Sequence, residues 1–406
     1  MNRMIWPSLL VAACLTFPTA CPAQEGEPQL PATVQENVIG HRFARGNSTT
    51  FPIEICNHTI FVSARIDSLG PLWLVLDSGA SVSSIDRALA DSSGLKVWGQ
   101  ATGTGAGTDS FSVGFLKKNV VVHLPGLAIT DQTLAVMDLS GLQAILGRAV
   151  HGILGADFFY NFVATLDYEH RKLIVAEPKS FHAPARAEVL PLEIKDDLPF
   201  VHGRLAVRGL AAQDVRLLVD TGSGDGVDHP LIQKSSGTLL KIPTGVGLGR
   251  ESRGVVGRID SLELGGLLIR GAPSACCGGS ETSSALIGGR VLERFTPSFD
   301  YGSKRLFLVP NRHLADPFPS DASGLALRAE PGKSAIRVAW VIDGSPAKEA
   351  GIVADDLITT VDATPVSALT LDEIRFMLER PGQRHEFMIV RRGSPLRIEV
   401  TLRRLI

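Results

Sequence analysis

Short apolar runs separated by turn-forming residues dominate the pattern of this chain. Of its 406 residues, 41 are Gly and 24 are Pro. Runs such as residues 61–66 and 72–76 have the length of strands and are too short for helices that bury one face. The pattern predicts an all-β fold, with a hairpin formed by residues 111–115 and 119–124. Short helices are predicted at residues 84–90, 156–161 and 290–294.

A segment of about 125 residues occurs twice in tandem, too long for a solenoid repeat. Leu74-Val75-Leu76-Asp77-Ser78-Gly79 in the first copy corresponds to Leu217-Leu218-Val219-Asp220-Thr221-Gly222 in the second. Further along, Ile153-Leu154-Gly155 corresponds to Leu286-Ile287-Gly288. A single Asp-Ser/Thr-Gly is most often a turn at the end of a strand. Its duplication in matching surroundings predicts two similar lobes, each of which presents one Asp.

These paired motifs resemble those of the aspartic peptidases, and the resemblance covers residues 48–310. It implies a bilobed fold of acid-protease-like β-barrels, with lobes of the retroviral type (retropepsin-like) joined in one chain. Lobe 1 is expected at residues 49–178 and lobe 2 at 188–310. Two carboxylates that share one proton can activate a water and polarise a peptide carbonyl. The resemblance therefore implies an aspartic endopeptidase.

The resemblance assigns roles to the residues of both motifs. Asp77 and Asp220 are the expected catalytic pair. Ser78 and Thr221 are expected to hydrogen-bond across the lobes, and Gly79 and Gly222 to allow tight turns. In the family a hydroxyl after the Gly can donate to the carboxylate of its own lobe. Ser223 occupies that place in lobe 2 and Ala80 in lobe 1, so we expect Asp220 to ionise more readily than Asp77.

A Gly-rich stretch precedes the predicted hairpin of the first lobe. Gly103, Gly105 and Gly107 are candidate flap residues over the cleft. They are followed by alternating apolar residues rather than by a helix, so a nucleotide-binding loop is not supported. The flap lacks the Tyr of pepsins, whose subsite preferences are therefore not expected here. Asp225 and Asp228 follow the second motif and are interpreted as a solvated loop.

The tail at residues 323–406 is predicted to be a domain of a different kind from the two lobes. It follows a Pro-containing linker at 311–322. Gly344-Ser345-Pro346-Ala347, with Asp356-Leu357-Ile358 further on, resembles the PDZ domains of bacterial periplasmic proteins. Residues 370–378 have helical periodicity, and 387–391 and 396–402 are predicted strands. The resemblance implies a small α+β domain that binds an extended peptide beside Gly324, Leu325, Ala326 and Leu327. A PDZ-shaped module that only packs on the peptidase is the alternative.

The N-terminus predicts export. Arg3 precedes an apolar stretch too short for a confident transmembrane helix, which indicates a signal peptide at residues 1–23 and a linker at 24–48. The expected location is periplasmic or secreted, and lipid anchoring at Cys14 or Cys21 is left open. Export permits disulfides, and Cys56 could pair with Cys276 or Cys277.

Composition and motifs give no support to other classes of function. A net charge of −2 gives no reason to expect nucleic acid as a partner. His and Cys residues show no metal-binding spacing, and no nucleophile elbow is present, so no cofactor is implied. The expected partners are a polypeptide substrate and, at the PDZ domain, a peptide C-terminus or extended segment. The chain holds both lobes, so we expect a monomer. An inactive peptide-binding or scaffold protein of the same fold is the alternative function.

Overall fold

The computed structural model describes most of the chain from Ile39 onward. The described residues are 9–10, 14–16, 39–104, 110–116, 120–244, 246–247, 252–276, 285–330, 332 and 335–406. Most of the predicted signal peptide and of the linker that follows it lies outside this set. One large hydrophobic cluster extends from Ile39 to Phe318, and a second from Ala322 to Leu402. The prediction of a mostly β chain is confirmed.

The first lobe consists mainly of strands. These strands, with two short ones that precede them, are β1 (Leu9–Leu10), β2 (Cys14–Thr16), β3 (Gly40–Phe43), β4 (Ser48–Pro52), β5 (Glu54–Cys56), β6 (Thr59–Ile66), β7 (Leu69–Leu76), β8 (Ser84–Asp86), β9 (Val97–Thr104), β10 (Ser110–Leu116), β11 (Val120–Leu124), β12 (Leu127–Gln132), β13 (Ala135–Met137), β14 (Gly152–Leu154), β15 (Val163–Asp167) and β16 (Lys172–Ala176). Its helices are α1 (Arg87–Ser92), α2 (Ser140–Leu146) and α3 (Ala156–Asn161). β7 lies between β6 and the parallel strand β14, so the strand that leads to Asp77 is paired on both sides.

The hairpin predicted from residues 111–115 and 119–124 is wrong. β10 pairs with β9 and β13, whereas β11 pairs with β12 and β6. The hairpin is formed by β9 and β10, with Ser110 opposite Thr104. Apolar alternation identifies each strand, but the choice of partner depends on how the whole lobe closes.

The second lobe repeats this arrangement with different loops. Its strands are β17 (Glu188–Pro191), β18 (Glu193–Lys195), β19 (Leu198–Ala206), β20 (Gln213–Val219), β21 (Val227–Asp228), β22 (Leu240–Thr244), β23 (Val246–Gly247), β24 (Ser252–Arg258), β25 (Ser261–Leu264), β26 (Leu267–Arg270), β27 (Pro273–Cys276), β28 (Leu286–Ile287), β29 (Phe295–Asp300) and β30 (Arg305–Pro310), and its helix is α4 (Gly289–Leu292). As in the first lobe, the strand before the Asp motif, β20, pairs in parallel with the short strand β28. β22, β24 and β27 form a separate sheet that corresponds to β9, β10 and β13.

A sheet shared by both lobes joins them. Its order is β17-β30-β29-β15-β16-β4, so three strands of the second lobe and three of the first meet at a central β29–β15 pair. Thr165 of β15 lies opposite Ser298 of β29, and the Thr165 hydroxyl donates to Ser298 Oγ over 2.7 Å. This shared sheet gives the two lobes a common floor, which fixes the spacing of the strands that carry the Asp motifs.

The C-terminal unit folds around its own core. Its strands and helices are β31 (Leu325–Ala329), β32 (Ile336–Val341), β33 (Leu357–Val361), β34 (Thr364–Pro365), β35 (Arg384–Arg391), β36 (Ser394–Thr401), α5 (Pro346–Glu349) and α6 (Leu371–Met377). The sheet order is β31-β32-β33-β35-β36, so β31 is an edge strand. α6 begins at a capping box in which Thr370 and Glu373 satisfy each other's backbone N–H groups. Short 3₁₀ turns elsewhere cover Pro178–Ser180, Pro230–Lys234 and Val366–Ala368.

The segment between the second lobe and this unit packs on the peptidase. Phe318 is buried in the large cluster, and the guanidinium of Arg294 lies 4.5 Å from the centre of its ring. Arg294 also donates to the carbonyl of His313 over 2.7 Å. The segment predicted as a linker therefore contributes to the packing of the second lobe.

Candidate active site

The two Asp motifs occupy equivalent positions in the lobes. Asp77 directly follows β7, and its N–H donates to the carbonyl of Leu154 over 2.9 Å. Asp220 directly follows β20, and its N–H donates to the carbonyl of Ile287 over the same distance. The duplicated apolar-apolar-Gly elements therefore hold the backbone of each Asp at the end of its strand.

The hydrogen bonds expected across the lobes are present. Ser78 Oγ donates to the carbonyl of Val219 over 2.6 Å and accepts from the N–H of Thr221 over 3.0 Å. Thr221 Oγ1 donates to the carbonyl of Leu76 over 2.8 Å and accepts from the N–H of Ser78 over 2.9 Å. All four bonds are buried, and each hydroxyl serves as donor and acceptor at once. The network locks the two turns against each other.

Within this network both carboxyl groups are fully buried and face the opposite lobe. Gly79 N–H donates to Asp77 Oδ1 over 2.8 Å, and Gly222 N–H donates to Asp220 Oδ1 over 2.9 Å. A Cβ at Gly79 would lie 2.6 Å from Asp220 Oδ1, which explains why a residue without a side chain is needed there. Oδ2 of each Asp has no hydrogen-bond partner among the described residues. A polar ligand, such as a water or a substrate carbonyl, is needed to satisfy these two oxygens.

The two carboxyl groups ionise unequally. Burial first, and then the charge of Asp220, raise the pKa of Asp77 well above its ordinary value. Burial raises the pKa of Asp220 to about 6, an increase limited first by a hydrogen bond with the Asp77 carboxyl and then by hydrogen bonds from the N–H groups of Gly222 and Ser223. Asp77 therefore holds the proton more tightly, and Asp220 is the first to ionise.

The hydrogen bond expected from the Ser223 hydroxyl is a different one in the structure. Ser223 Oγ donates to Asp225 over 3.3 Å, while the backbone N–H of Ser223 donates to Asp220 Oδ1 over 3.1 Å. The Ser223 hydroxyl is therefore not a donor to Asp220, whose ionised form is favoured first by a hydrogen bond with the Asp77 carboxyl and then by the N–H groups of Gly222 and Ser223. Asp225 N–H in turn donates to Ser223 Oγ over 3.1 Å, so this hydroxyl joins Asp225 to the motif.

The interpretation of Asp225 and Asp228 as a solvated loop is wrong. Asp228 is buried, and its Oδ1 accepts from the N–H of Ala275 over 2.7 Å. Burial raises the pKa of Asp225 to about 7, and burial with the charge of Asp225 raises that of Asp228. The positive charge of Arg290 opposes the shift at Asp225. A second pair of interacting carboxyl groups therefore lies beside the Asp77–Asp220 pair.

Two further residues that support the site were missed by sequence reasoning. Tyr301 is buried beneath the pair, its hydroxyl donates to the carbonyl of Ser78 over 3.4 Å, and its ring stacks on Phe159. Asp157 is fully buried and accepts from the N–H and hydroxyl of Ser83 over 2.7 and 2.8 Å. The duplicated tripeptide Leu/Phe-Asp-Tyr could have indicated Tyr301, whereas nothing in the pattern around Asp157 predicts its burial.

The candidate flap is only partly described. Gly103 lies in β9 opposite Phe111 of β10, and a Cβ at Gly103 would lie 2.5 Å from the Phe111 ring. Gly105 and Gly107 lie outside the described residues. The described part of the flap is thus a hairpin of β9 and β10, in which Gly103 leaves room for the facing ring.

The predicted peptide-binding residues of the C-terminal unit lie on its edge strand, next to the peptidase. Gly324, with a φ of +80°, precedes β31, which contains Leu325, Ala326 and Leu327. Arg375 of α6 donates to the carbonyl of Leu327 over 3.1 Å and to that of Ile145 in the first lobe over 2.7 Å. The groove between β31 and α6 therefore faces the lobes rather than open solvent.

The remaining expectations concern metals, membranes and cysteines. In the described part of the chain, no group of three or more His, Cys, Asp or Glu side chains could hold a metal ion. None of the helices within the described ranges is long and apolar enough to cross a membrane.

Cys56 is a free, buried thiol that donates to the carbonyl of Leu146, whereas Cys276 is in a disulfide. Of the alternatives left open by the sequence, Cys56 therefore pairs with neither Cys276 nor Cys277.

Two family models match the chain, one within the first lobe and one within the C-terminal unit. Residues 62–158 match the model of the aspartyl protease family, and residues 337–392 match that of the PDZ domain. No curated relative matches the chain. An aspartic proteinase from Irpex lacteus is 13% identical, with a TM-score of 0.42 over 67% of this chain and 99% of that one. A photosystem II D1 C-terminal processing protease is 25% identical, with a TM-score of 0.19 over 21% of this chain and 23% of its own length. The chain therefore carries an aspartyl protease domain followed by a PDZ domain, the composition of a peptidase with a peptide-binding module.

Proposed function

We propose that this chain is an exported aspartic endopeptidase. One observation carries the proposal: Asp77 and Asp220 are fully buried, face each other across the lobes and leave both Oδ2 atoms without a partner among the described residues. Two carboxyl groups in that position cannot both be ionised at low cost, so they share a proton. A pair with one proton contains an acid and a base a few ångströms apart, which is what the hydrolysis of a peptide bond requires.

The inequality of the pair assigns the roles. Ionised Asp220 accepts a proton from the attacking water, while protonated Asp77 donates its proton to the oxygen of the scissile carbonyl. The tetrahedral intermediate then collapses when a proton from the pair reaches the leaving nitrogen. The N–H groups of Gly79 and Gly222 hold Oδ1 of each Asp, so the Oδ2 atoms remain oriented toward the substrate.

The substrate is a polypeptide that lies extended between the lobes. The edge strands β22 and β27 of the second-lobe sheet supply strand edges along which an extended peptide can bind. Both catalytic residues come from one chain, so the enzyme acts as a monomer. The PDZ domain docks part of the substrate or regulates access to the cleft. The N-terminal signal peptide directs the protein out of the cytoplasm.

Turnover of an unfolded polypeptide tests the proposal against the alternative of an inactive scaffold. Asp77→Asn and Asp220→Asn should each reduce kcat by at least about a hundredfold, because one carboxyl group cannot serve as both acid and base. Both variants should retain the circular dichroism spectrum of the wild type. A wild-type chain that binds the polypeptide without cleaving it would favour the scaffold. Asn variants with wild-type turnover would place the chemistry elsewhere.

A further inference from the structure

The groove of the PDZ domain is covered by the first lobe. Helix α2 packs against β31, the edge strand to which a bound peptide would add. Gly147, with a φ of +69°, caps the C-terminus of α2, and a Cβ on this residue would lie 2.6 Å from Cβ of Leu371, the first residue of α6. The end of α2 therefore contacts both walls of the groove, β31 and α6.

Arg375 of α6 joins the end of α2 to the edge strand. Its Nη2 donates to the carbonyl of Ile145 in α2 over 2.7 Å and to that of Leu327 in β31 over 3.1 Å. Two oxygens bound to one nitrogen lie within about 6 Å of each other, and a strand added to β31 would lie about 4.8 Å away. The backbone of Ile145 thus occupies the space that an added peptide strand would need.

Two further contacts hold α6 against the lobes. Asp372 Oδ1 accepts from the N–H of Asn57 in the first lobe over 2.9 Å. Glu379 forms an ion pair of 3.2 Å with Arg290 of the second lobe. The hydrophobic clusters of the peptidase and of the PDZ domain nevertheless remain separate. Domains that keep their own cores and meet through polar contacts can separate without unfolding.

The interface is also imperfectly packed. A cavity of about 150 Å³ lies between the second lobe and the PDZ domain. Ser274 in its wall is 1% exposed, and its Oγ has no hydrogen-bond partner among the described residues. The buried Nη1 of Arg375 likewise has none in the part of the chain that the structure describes. A void and unsatisfied polar groups weaken the docked state relative to a domain core.

The loop before β31 is satisfied from within the chain. Gly324 N–H donates to Asp321 Oδ2 over 2.6 Å, and Leu325 N–H donates to Ser323 Oγ over 3.0 Å. Capture of a peptide's terminal carboxylate needs such N–H groups to be available, and the charge of Asp321 disfavours a second carboxylate beside it. An extended segment from the interior of a polypeptide brings no terminal charge and fits this groove better.

We infer that the end of α2 is a built-in occupant of the PDZ groove, and that an extended internal segment of a polypeptide enters the groove only by displacing the PDZ domain from the lobes. The inference depends on the PDZ fold and its contacts, not on the proposed peptidase activity. It makes the interface between the two units responsive to the presence of a polypeptide.

Peptide binding to the full chain carrying Asp77→Asn, which should not cleave the probe, tests the inference. The probes are labelled peptides with amidated ends and apolar central residues, each measured alone by fluorescence anisotropy. Because only the undocked fraction binds, Arg290→Gln and Glu379→Gln should each lower the apparent Kd about two- to fivefold. Arg208→Gln and Glu386→Gln, which break ion pairs inside the second lobe and inside the PDZ domain, should leave it unchanged. Free-acid versions of the peptides should bind no more tightly than the amidated ones.

Alkylation of Cys56 provides a second measurement that needs no ion-pair variant. The thiol is 8% exposed, donates to the carbonyl of Leu146 over 3.2 Å, and is acted on by the charges of Asp372 and Arg375 of α6. A saturating probe should raise the rate of alkylation by iodoacetamide at Cys56, followed by mass spectrometry, about tenfold or more. Equal Kd values for all the chains, binding without faster alkylation, tighter binding of the free-acid peptides, or no binding of any probe would each overturn the inference.

Discussion

Replacing Ser78 by Ala should destabilise the contact between the lobes, because it removes the two hydrogen bonds that the Ser78 hydroxyl makes to the second lobe. The substitution leaves the carbonyl of Val219 and the N–H of Thr221 buried without the partner they have at 2.6 and 3.0 Å. Each unsatisfied buried group costs about 1–3 kcal/mol, so for two groups the free energy of unfolding should fall by about 2–6 kcal/mol. Ser84→Ala is the matched control, because Ser84 is 2% exposed but its Oγ has no partner among the described residues. Its cost should be near zero.

Urea unfolding followed by tryptophan fluorescence separates the two serine variants. With an m-value of about 3 kcal/mol/M, the midpoint of Ser78→Ala should lie about 1 M below that of wild type. Turnover by Ser78→Ala should also fall, since loss of alignment at the Asp pair affects the transition state directly. Equal midpoints for Ser78→Ala and Ser84→Ala would refute the claim that these cross-lobe hydrogen bonds hold the site together.

Three further outcomes are expected. Because burial raises the pKa values of both catalytic Asp residues, their ionisation costs stability as the pH rises from about 4 through their folded pKa values. Asp77→Asn removes the ionisation of Asp77 and should therefore gain stability relative to wild type between pH 4 and pH 8, which thermal melts at the two pH values can check. Ser223→Ala should leave the acidic limb of the pH–rate profile in place, because its hydroxyl donates to Asp225; a displaced limb would show that the hydroxyl acts on Asp220 after all. Arg290 and Glu379 form an ion pair of 3.2 Å between the second lobe and the PDZ domain, so a double-mutant cycle of Arg290→Gln and Glu379→Gln should give a coupling of about 1 kcal/mol, and additive effects would exclude the contact in solution.

Local repetition made the Asp pair predictable from the sequence. The motifs around Asp77 and Asp220 are short. Their duplication already implies two similar lobes related by an approximate two-fold, so that each motif contacts the other. The cross-lobe roles of Ser78 and Thr221 follow from the same symmetry. α6 was predictable for a related reason, since its capping residues and apolar periodicity lie within ten residues of each other.

Features set by distant parts of the chain were not predictable. Asp225 resembles a polar loop residue in sequence, but its surroundings include residues far along the chain: its carbonyl accepts from the N–H of Arg290 over 3.1 Å, and the Arg290 charge acts on its carboxyl group. The pairing of β10 with β9 rather than β11 depends on closure of the whole lobe. Asp362 and Ala363 adopt φ angles of +49° and +63°, although the sequence lacks the Asn-Gly that favours such a turn. There the pairing of β33 with β34 holds the turn that its residues do not favour.

The pH dependence of kcat/KM tests most directly whether Asp77 and Asp220 share one working proton. Below the pKa of about 6 at Asp220 the pair loses its base, and above the raised pKa of Asp77 it loses its acid. Wild type should therefore give a bell-shaped profile whose acidic limb lies well above the ordinary Asp pKa, with the apparent values belonging to the pair. Asp77→Asn and Asp220→Asn should lack measurable turnover at every pH. A wild-type profile without an acidic limb between pH 4 and 7, or an Asn variant that retains the bell, would contradict catalysis by this pair.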